Sequence, residues 1–315
     1  KLKLYGEEII DSINQKYNLN FNLLLNATIF ISDYHSFRLF LKLKKPKILY
    51  ITVWYGYGPV VKAAKDLGIT TVEVQHGGFD KDHYSYNMNK IFDNTYYPEH
   101  ILTFSKSHAD FLNRDELKKN NIFKARAVGS FLENKKKNIS VNNETFKKFK
   151  YIVSMSATIN DSQTEYDLLS RLSDQFIEVL FIYLPRRENE FKNKKNLKIM
   201  QKFTAPDYLP ISDLHITAGS TCLYEAAFFE KKTLVYTPFI ETEKFVINLK
   251  NKLKNYPSLY IFVDSEDNLI TTINGEISKI NDGINDRVNI NEIKKQNLYE
   301  LGYEKNISNF IKEFS

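Results

Sequence analysis

Short apolar runs alternate with stretches at helical spacing along this chain, and the alternation occurs twice. The run Lys47-Ile48-Leu49-Tyr50-Ile51-Thr52-Val53 is apolar and β-branched and predicts a buried strand. Gly56, Gly58 and Pro59 then predict a turn, residues 60–67 a helix, and Gly68 its C′ cap. Residues 69–74 predict the next strand, which completes a βαβ unit. Residues 101–104 predict another strand, with Ser105 or Ser107 capping a helix over 109–117. A strand over 125–128 stops at Gly129. Upstream, 1–34 reads as mostly helical with an apolar stretch at 21–31, and 35–43 as a further helix ended by Pro46.

Residues 133–150 are rich in Lys and Asn and poor in apolar side chains, as expected of a joint between domains. The second alternation predicts a strand from Tyr151, a helix over 164–174, a strand over 177–183 and a short one over 197–200. An apolar run at 214–218 leads into Gly219-Ser220-Thr221, a helix, and a strand over 233–236 that stops at Pro238. The tail, 248–315, mixes short apolar and polar pieces and reads as ending in helices, and no repeat of fixed period is visible. The fold class expected is α/β, with two Rossmann-like domains, 1–140 and 141–315, facing a central cleft.

Composition narrows the function classes. The chain has 315 residues and 43% apolar content, enough for real cores, so disorder is not expected. A net charge of +6, with both signs interspersed, fits a phosphate-bearing substrate or loose attraction to an anionic membrane. It does not point to nucleic acid. The single Cys222 excludes an intrachain disulfide framework and a Cys-rich zinc site, and reads as a small packing residue. No His or carboxylate spacing suggests a metal, and His215 reads as structural. No apolar run is long enough to span a bilayer and no signal peptide is visible. Cytoplasmic residence is expected, with peripheral association at the inner membrane.

Two motifs carry candidate chemistry. Gly219-Ser220-Thr221 joins a strand to a helix, where backbone N–H groups and two hydroxyls favour an anion. Glu225, about one turn on, suits a sugar diol. Glu73-Val74-Gln75-His76-Gly77-Gly78-Phe79-Asp80 runs from a strand into a glycine pair, at the strand end where α/β sheets bind ligands. The imidazole of His76 is a candidate to take a proton from a hydroxyl. Asp80 and Glu73 are the neighbouring carboxylates able to orient it or to act as the base instead. A lone histidine at a strand end also commonly serves only to hydrogen-bond backbone. Gln75, Gly77, His83, Tyr84 and Tyr86 form a candidate acceptor pocket, since aromatic faces stack on sugar rings. Ser154 and Ser156 end a strand of the second half, and Arg186 with Arg187 ends another, offering hydroxyls and guanidiniums to a diphosphate.

Together these residues resemble the GT-B glycosyltransferases, more narrowly those of bacterial capsule and lipopolysaccharide synthesis. The resemblance rests on Tyr55-Gly56, Leu67-Gly68-Ile69, Glu73 to Gly77, His83 to Tyr86, Pro98 to Phe104, Val128-Gly129-Ser130 and Gly219 to Ala226. It implies that Ser220 and Thr221 bind phosphate and that Glu225 binds ribose. It implies a nucleotide-sugar donor, UDP- or CMP-linked, with no cofactor or metal, and a saccharide or lipid-linked saccharide acceptor. Leu184-Pro185 and Ser220-Thr221 depart from the His-Pro and paired-serine motifs of CMP-sugar enzymes. The expected reaction is inverting sugar transfer with His76 or Asp80 as base. A non-hydrolysing UDP-amino-sugar epimerase, which shares the fold, and a non-catalytic nucleotide- or glycan-binding protein are the alternatives.

Overall fold

The computed structural model describes residues 6–18, 22–78, 83, 85–86, 94–114, 124–134, 146–157, 162–187, 190–202, 204–240, 242–254, 256–283 and 299–314. The chain divides into two compact units, Lys1–Gly129 with Glu304–Ser315, and Ser130–Tyr303.

The first unit begins with helices α1 (Glu7–Tyr17) and α2 (Leu23–Lys44). The sequence suggested a break near residue 35, yet α2 is one helix of 22 residues. No Gly or Pro lies between Asn22 and Lys45, so nothing interrupts the backbone ladder. The Asn22 side chain caps its start by accepting from the Leu25 N–H at 2.9 Å. Then come β1 (Ile48–Ile51), α3 (Gly58–Asp66), β2 (Thr70–Val74), β3 (His100–Thr103), α4 (Lys106–Leu112) and β4 (Lys124–Ala127). The four strands are all parallel, in the order β1-β2-β3-β4. Pro59 starts α3, where its missing N–H costs nothing. Gly68 follows at φ 71°, a conformation that suits glycine. Of the two candidate caps for α4, Ser105 serves, accepting from the His108 N–H at 3.3 Å. The C-terminal helix, Tyr303–Lys312, covers this sheet. Phe310 is buried against the His100 ring, with centroids 5.3 Å apart, and Glu313 pairs with Arg126.

The second unit holds β5 (Tyr151–Ser156), α5 (Ser162–Gln175), β6 (Val179–Leu184), β7 (Leu197–Ile199), the one-turn α6 (Ala205–Tyr208) and β8 (Leu214–Thr217). It continues with α7 (Cys222–Phe228), β9 (Lys232–Tyr236), α8 (Glu243–Leu253), β10 (Tyr260–Val263) and α9 (Glu266–Asn281). All six strands are parallel, in the order β10-β9-β8-β5-β6-β7. The chain steps outward from β5 to β7, returns to the other side of β5, and steps outward again. That order leaves a topological switch point between β5 and β8, where open α/β sheets place a ligand. Every residue of β6 is buried, as a central parallel strand requires. The core on one face of the sheet includes Val153, Met155, Phe181, Tyr183, Ile216 and Leu234.

Candidate functional site

A cavity of about 590 Å³ opens at the switch point of the second unit. Ser156 and Ala157 enter it from the end of β5, and Leu184, Pro185 and Arg186 from the end of β6. Thr221, Cys222 and Glu225 come from the turn after β8 and from α7. Phe131, Gln201, Lys202, Thr204, Ala205 and Pro206 complete the wall. The size suits a nucleotide, since ligand pockets run from about 300 to 1,000 Å³.

The polar lining is suited to an anion joined to a diol. Arg186 is exposed and uses Nε to donate to the Ala157 carbonyl at 3.3 Å, which aims the guanidinium along the cavity wall. Lys202 adds a second cation. Among the described residues the buried hydroxyl of Ser156 has no nitrogen or oxygen partner and meets only the weakly polar Cys222 thiol. A buried hydroxyl left unpaired carries a desolvation cost that a ligand can remove. Glu225 is the carboxylate of the wall. Burial, and then the Glu225 charge, pushes the Cys222 thiol up to about 11, so it is a neutral group rather than a nucleophile.

The glycine motif differs in detail from expectation. Gly219 sits at φ 94°, and a Cβ there would stand 2.9 Å from the Phe245 ring, so both backbone and space call for glycine. The N–H groups at the start of α7 are not bare. The Cys222 N–H bonds to the Ser220 hydroxyl at 3.1 Å, Leu223 bonds to the Ser220 carbonyl, and Tyr224 to the Thr221 carbonyl. Ser220 also meets the Thr217 hydroxyl at 3.2 Å, so it shapes the turn, while Thr221 and Glu225 face the cavity.

The other candidates of this unit separate. Ser154 lies two residues deeper in β5 than Ser156 and is fully buried. Its hydroxyl is 2.9 Å from His215 Nδ1. Burial drives His215 down to about 3, so it is a neutral core residue, as expected. Arg187 is exposed beside the cavity and does not line it. The wall formed by Gln201, Lys202, Thr204, Ala205 and Pro206 is not recognisable as a site in the sequence alone. Its signal is Thr204-Ala205-Pro206-Asp207, a capping box in which Asp207 accepts from the Thr204 N–H and hydroxyl, each at 2.8 Å.

In the first unit, His76 is exposed just past the end of β2, while Gln75 and Gly77 are buried. The Gln75 amide donates to the Gly77 carbonyl at 2.7 Å and accepts from the Phe104 N–H at 2.7 Å. Gln75 therefore holds the turn that presents His76. Glu73 is not a partner of His76 among the described residues. Its carboxylate is buried and accepts from the Tyr86 hydroxyl at 2.7 Å and the Trp54 N–H at 3.4 Å. Burial pushes Glu73 up to about 7, against the lowering effect of those two bonds. Tyr86 is buried, and the His83 ring lies tilted against it at 4.9 Å and against Tyr55 at 5.5 Å between centroids. Asp80 and Tyr84 lie outside the described residues. No group of three or more His, Cys, Asp or Glu suited to a metal occurs among the described residues, and no described helix is long and apolar enough to cross a membrane.

No family model matches this chain, and no curated protein matches its sequence. Solved structures do match. A Methanocaldococcus jannaschii UDP-GlcNAc 2-epimerase in complex with UDP-GlcNAc and UDP aligns at a TM-score of 0.59 and 13% identity, over 91% of this chain and 81% of that one. A Neisseria meningitidis UDP-GlcNAc 2-epimerase bound to UDP-GlcNAc aligns at 0.58 and 13% identity, over 91% and 80%. The glycotransferase of kitacinnamycin aligns at 0.53 and 12% identity, over 80% and 74%. At such identities the likeness is one of fold, and the fold of this chain is the α/β GT-B type, two Rossmann-like units built on parallel sheets.

Proposed function

We propose that this protein is an enzyme acting on a UDP-sugar, with the nucleoside diphosphate held at the switch point of the second unit. One observation carries this reading: two cations, unengaged hydroxyl capacity and a carboxylate converge on one cavity at the end of β5, beside β8. Arg186 and Lys202 neutralise the diphosphate. Ser156 and Thr221 donate to its oxygens, and Glu225 accepts from the ribose diol. Arg187 adds long-range charge.

Epimerisation of a UDP-N-acetylamino sugar is the first reaction to test, because both UDP-GlcNAc 2-epimerases above share this fold across most of their length. Transfer of the sugar to a saccharide or lipid-linked saccharide is the second. The glycotransferase of the same fold and the exposed His76 on its anchored turn favour it. In that reaction His76 or Asp80 is the base and His83 and Tyr84 contact the acceptor, while Gln75, Gly77 and Tyr86, expected in the sequence to line the acceptor pocket, are buried and hold the structure behind it. Loss of a true base costs roughly two to four orders of magnitude in rate.

The two reactions separate in one experiment. The protein is incubated with UDP-N-acetylglucosamine and no acceptor, and the sugar is followed by proton NMR. A second UDP-sugar epimer identifies the epimerase. An unchanged sugar, with UDP released only once a saccharide acceptor is added, identifies the transferase. UDP binding without either product would mark a non-catalytic protein, and the absence of any stabilisation by UDP or its sugars would end the proposal.

A further inference from the structure

We propose that the outer face of α2 docks on an anionic lipid bilayer. A helix in a soluble unit normally buries one stripe and leaves the other polar. Here α2 buries Leu41 and turns Phe30 and Tyr34 partly inward, yet its opposite side is also apolar. Leu25, Ile29, Leu39, Phe40 and Leu43 all project outward, with Leu39 62% and Leu43 72% exposed. Leu25 and Leu43 are five helical turns apart and so point the same way, about 27 Å from each other along the axis. Ser32 and Ser36 fill the stripe between them, no charge falls on its centre, and the exposed Asp33 is the one carboxylate of α2, at the edge of the stripe two turns before Phe40. Single exposed apolar side chains are ordinary, but two apolar clusters on one face, Leu25 with Ile29 and Leu39 with Phe40 and Leu43, joined by small serines, mark an interaction surface.

Charge decides the occupant. No carboxylate occurs from residue 34 to residue 47, while Lys42, Lys44, Lys45 and Lys47 are all exposed there. None of these four makes an ion pair among the described residues. Elsewhere in the same unit, Lys62 and Lys106 each pair with a carboxylate four residues on. The unpaired lysines flank the end of the stripe where Leu39, Phe40 and Leu43 stand. An apolar stripe edged by uncompensated cations matches a surface of anionic headgroups over acyl chains. Lysine stems extend the apolar area while their ammonium groups reach the headgroups. A second copy of the same face would instead bring its own uncompensated lysines to the contact.

The test is flotation of the whole protein with vesicles of phosphatidylcholine alone or mixed with phosphatidylglycerol. The structure predicts binding to the mixed vesicles that weakens as salt rises, and little binding to phosphatidylcholine alone. Each surface lysine reversed costs roughly fivefold in partition, so Lys42→Glu/Lys44→Glu should lose at least about tenfold. Phe40→Ser/Leu43→Ser should also lose binding, and both variants should melt as the wild type does because the altered side chains are exposed. Equal recovery with the two vesicle types, or wild-type binding by the charge-reversed variant, would overturn the proposal. So would a concentration-dependent dimer that Phe40→Ser/Leu43→Ser dissolves. The outcome is independent of nucleotide binding, which the second unit supplies.

Discussion

The hydroxyl of Ser154 lies 2.9 Å from His215 Nδ1, and the two residues are Cα partners in the β5–β8 pairing. This bond ties together the two strands that flank the switch point, directly beneath the cavity floor. Ser154→Ala leaves a buried ring nitrogen without its partner and should cost about 1–3 kcal/mol in chemical denaturation. UDP affinity should change less than threefold, because Ser154 does not line the cavity. A Ser156→Ala variant should reverse the pattern, with stability kept or slightly raised and affinity reduced.

Glu73 and His215 give the protein opposed pH dependences. The Glu73 carboxyl rises from its ordinary 4.5 to about 7 on folding. The folded state therefore binds its proton more tightly, and stability falls as pH rises between those values. The shift corresponds to about 3 kcal/mol at most. His215 moves the other way, from 6.5 to about 3, so stability is lost as pH falls through that interval. The two slopes oppose each other between about pH 4.5 and 6.5. Urea midpoints measured across pH 4–8 should show a shallow dependence in the wild type. Glu73→Gln should flatten the alkaline side and expose the full acid loss. An unchanged profile in that variant would remove Glu73 from the account.

Gly219→Ala should be costly for two separate reasons. Alanine is strained at φ 94°, and its Cβ would meet the Phe245 ring at 2.9 Å. A loss of roughly 1–3 kcal/mol is expected. Phe245→Leu in the same chain should restore only part of it, since space is regained and the backbone conformation is not. Because the turn carries Thr221, UDP affinity should fall together with stability.

Much of this fold is legible in the sequence, for identifiable reasons. The strands at 47–53 and 151–154 are apolar runs bounded by turn residues, and Gly68 and Ser105 mark helix ends by local chemistry. The strand order is not legible. The pairing of Ser154 with His215 spans 61 residues and depends on the return of the chain across β5. Strand β10 is not legible, because Tyr260–Val263 sits in a tail that mixes short apolar and polar pieces of similar length. In the candidate site, Ser154 and Ser156 look equivalent in sequence because both point to the same side of one strand. Only depth separates them, and depth follows from what His215 covers. Ser220 and Thr221 look like equal phosphate ligands, but Ser220 is occupied by the turn itself.

The central claim is that the cavity between β5 and β8 holds a nucleoside diphosphate, and calorimetric titration of UDP into the wild type and Arg186→Ala tests it most directly. Loss of a charge-assisted bond of about 1.5–3 kcal/mol should weaken UDP roughly ten- to a hundredfold. Uridine, which lacks the diphosphate, should bind both proteins alike, and Arg187→Ala should lose much less than Arg186→Ala. UDP binding that is absent in the wild type, or unchanged in Arg186→Ala, would contradict the assignment of this cavity.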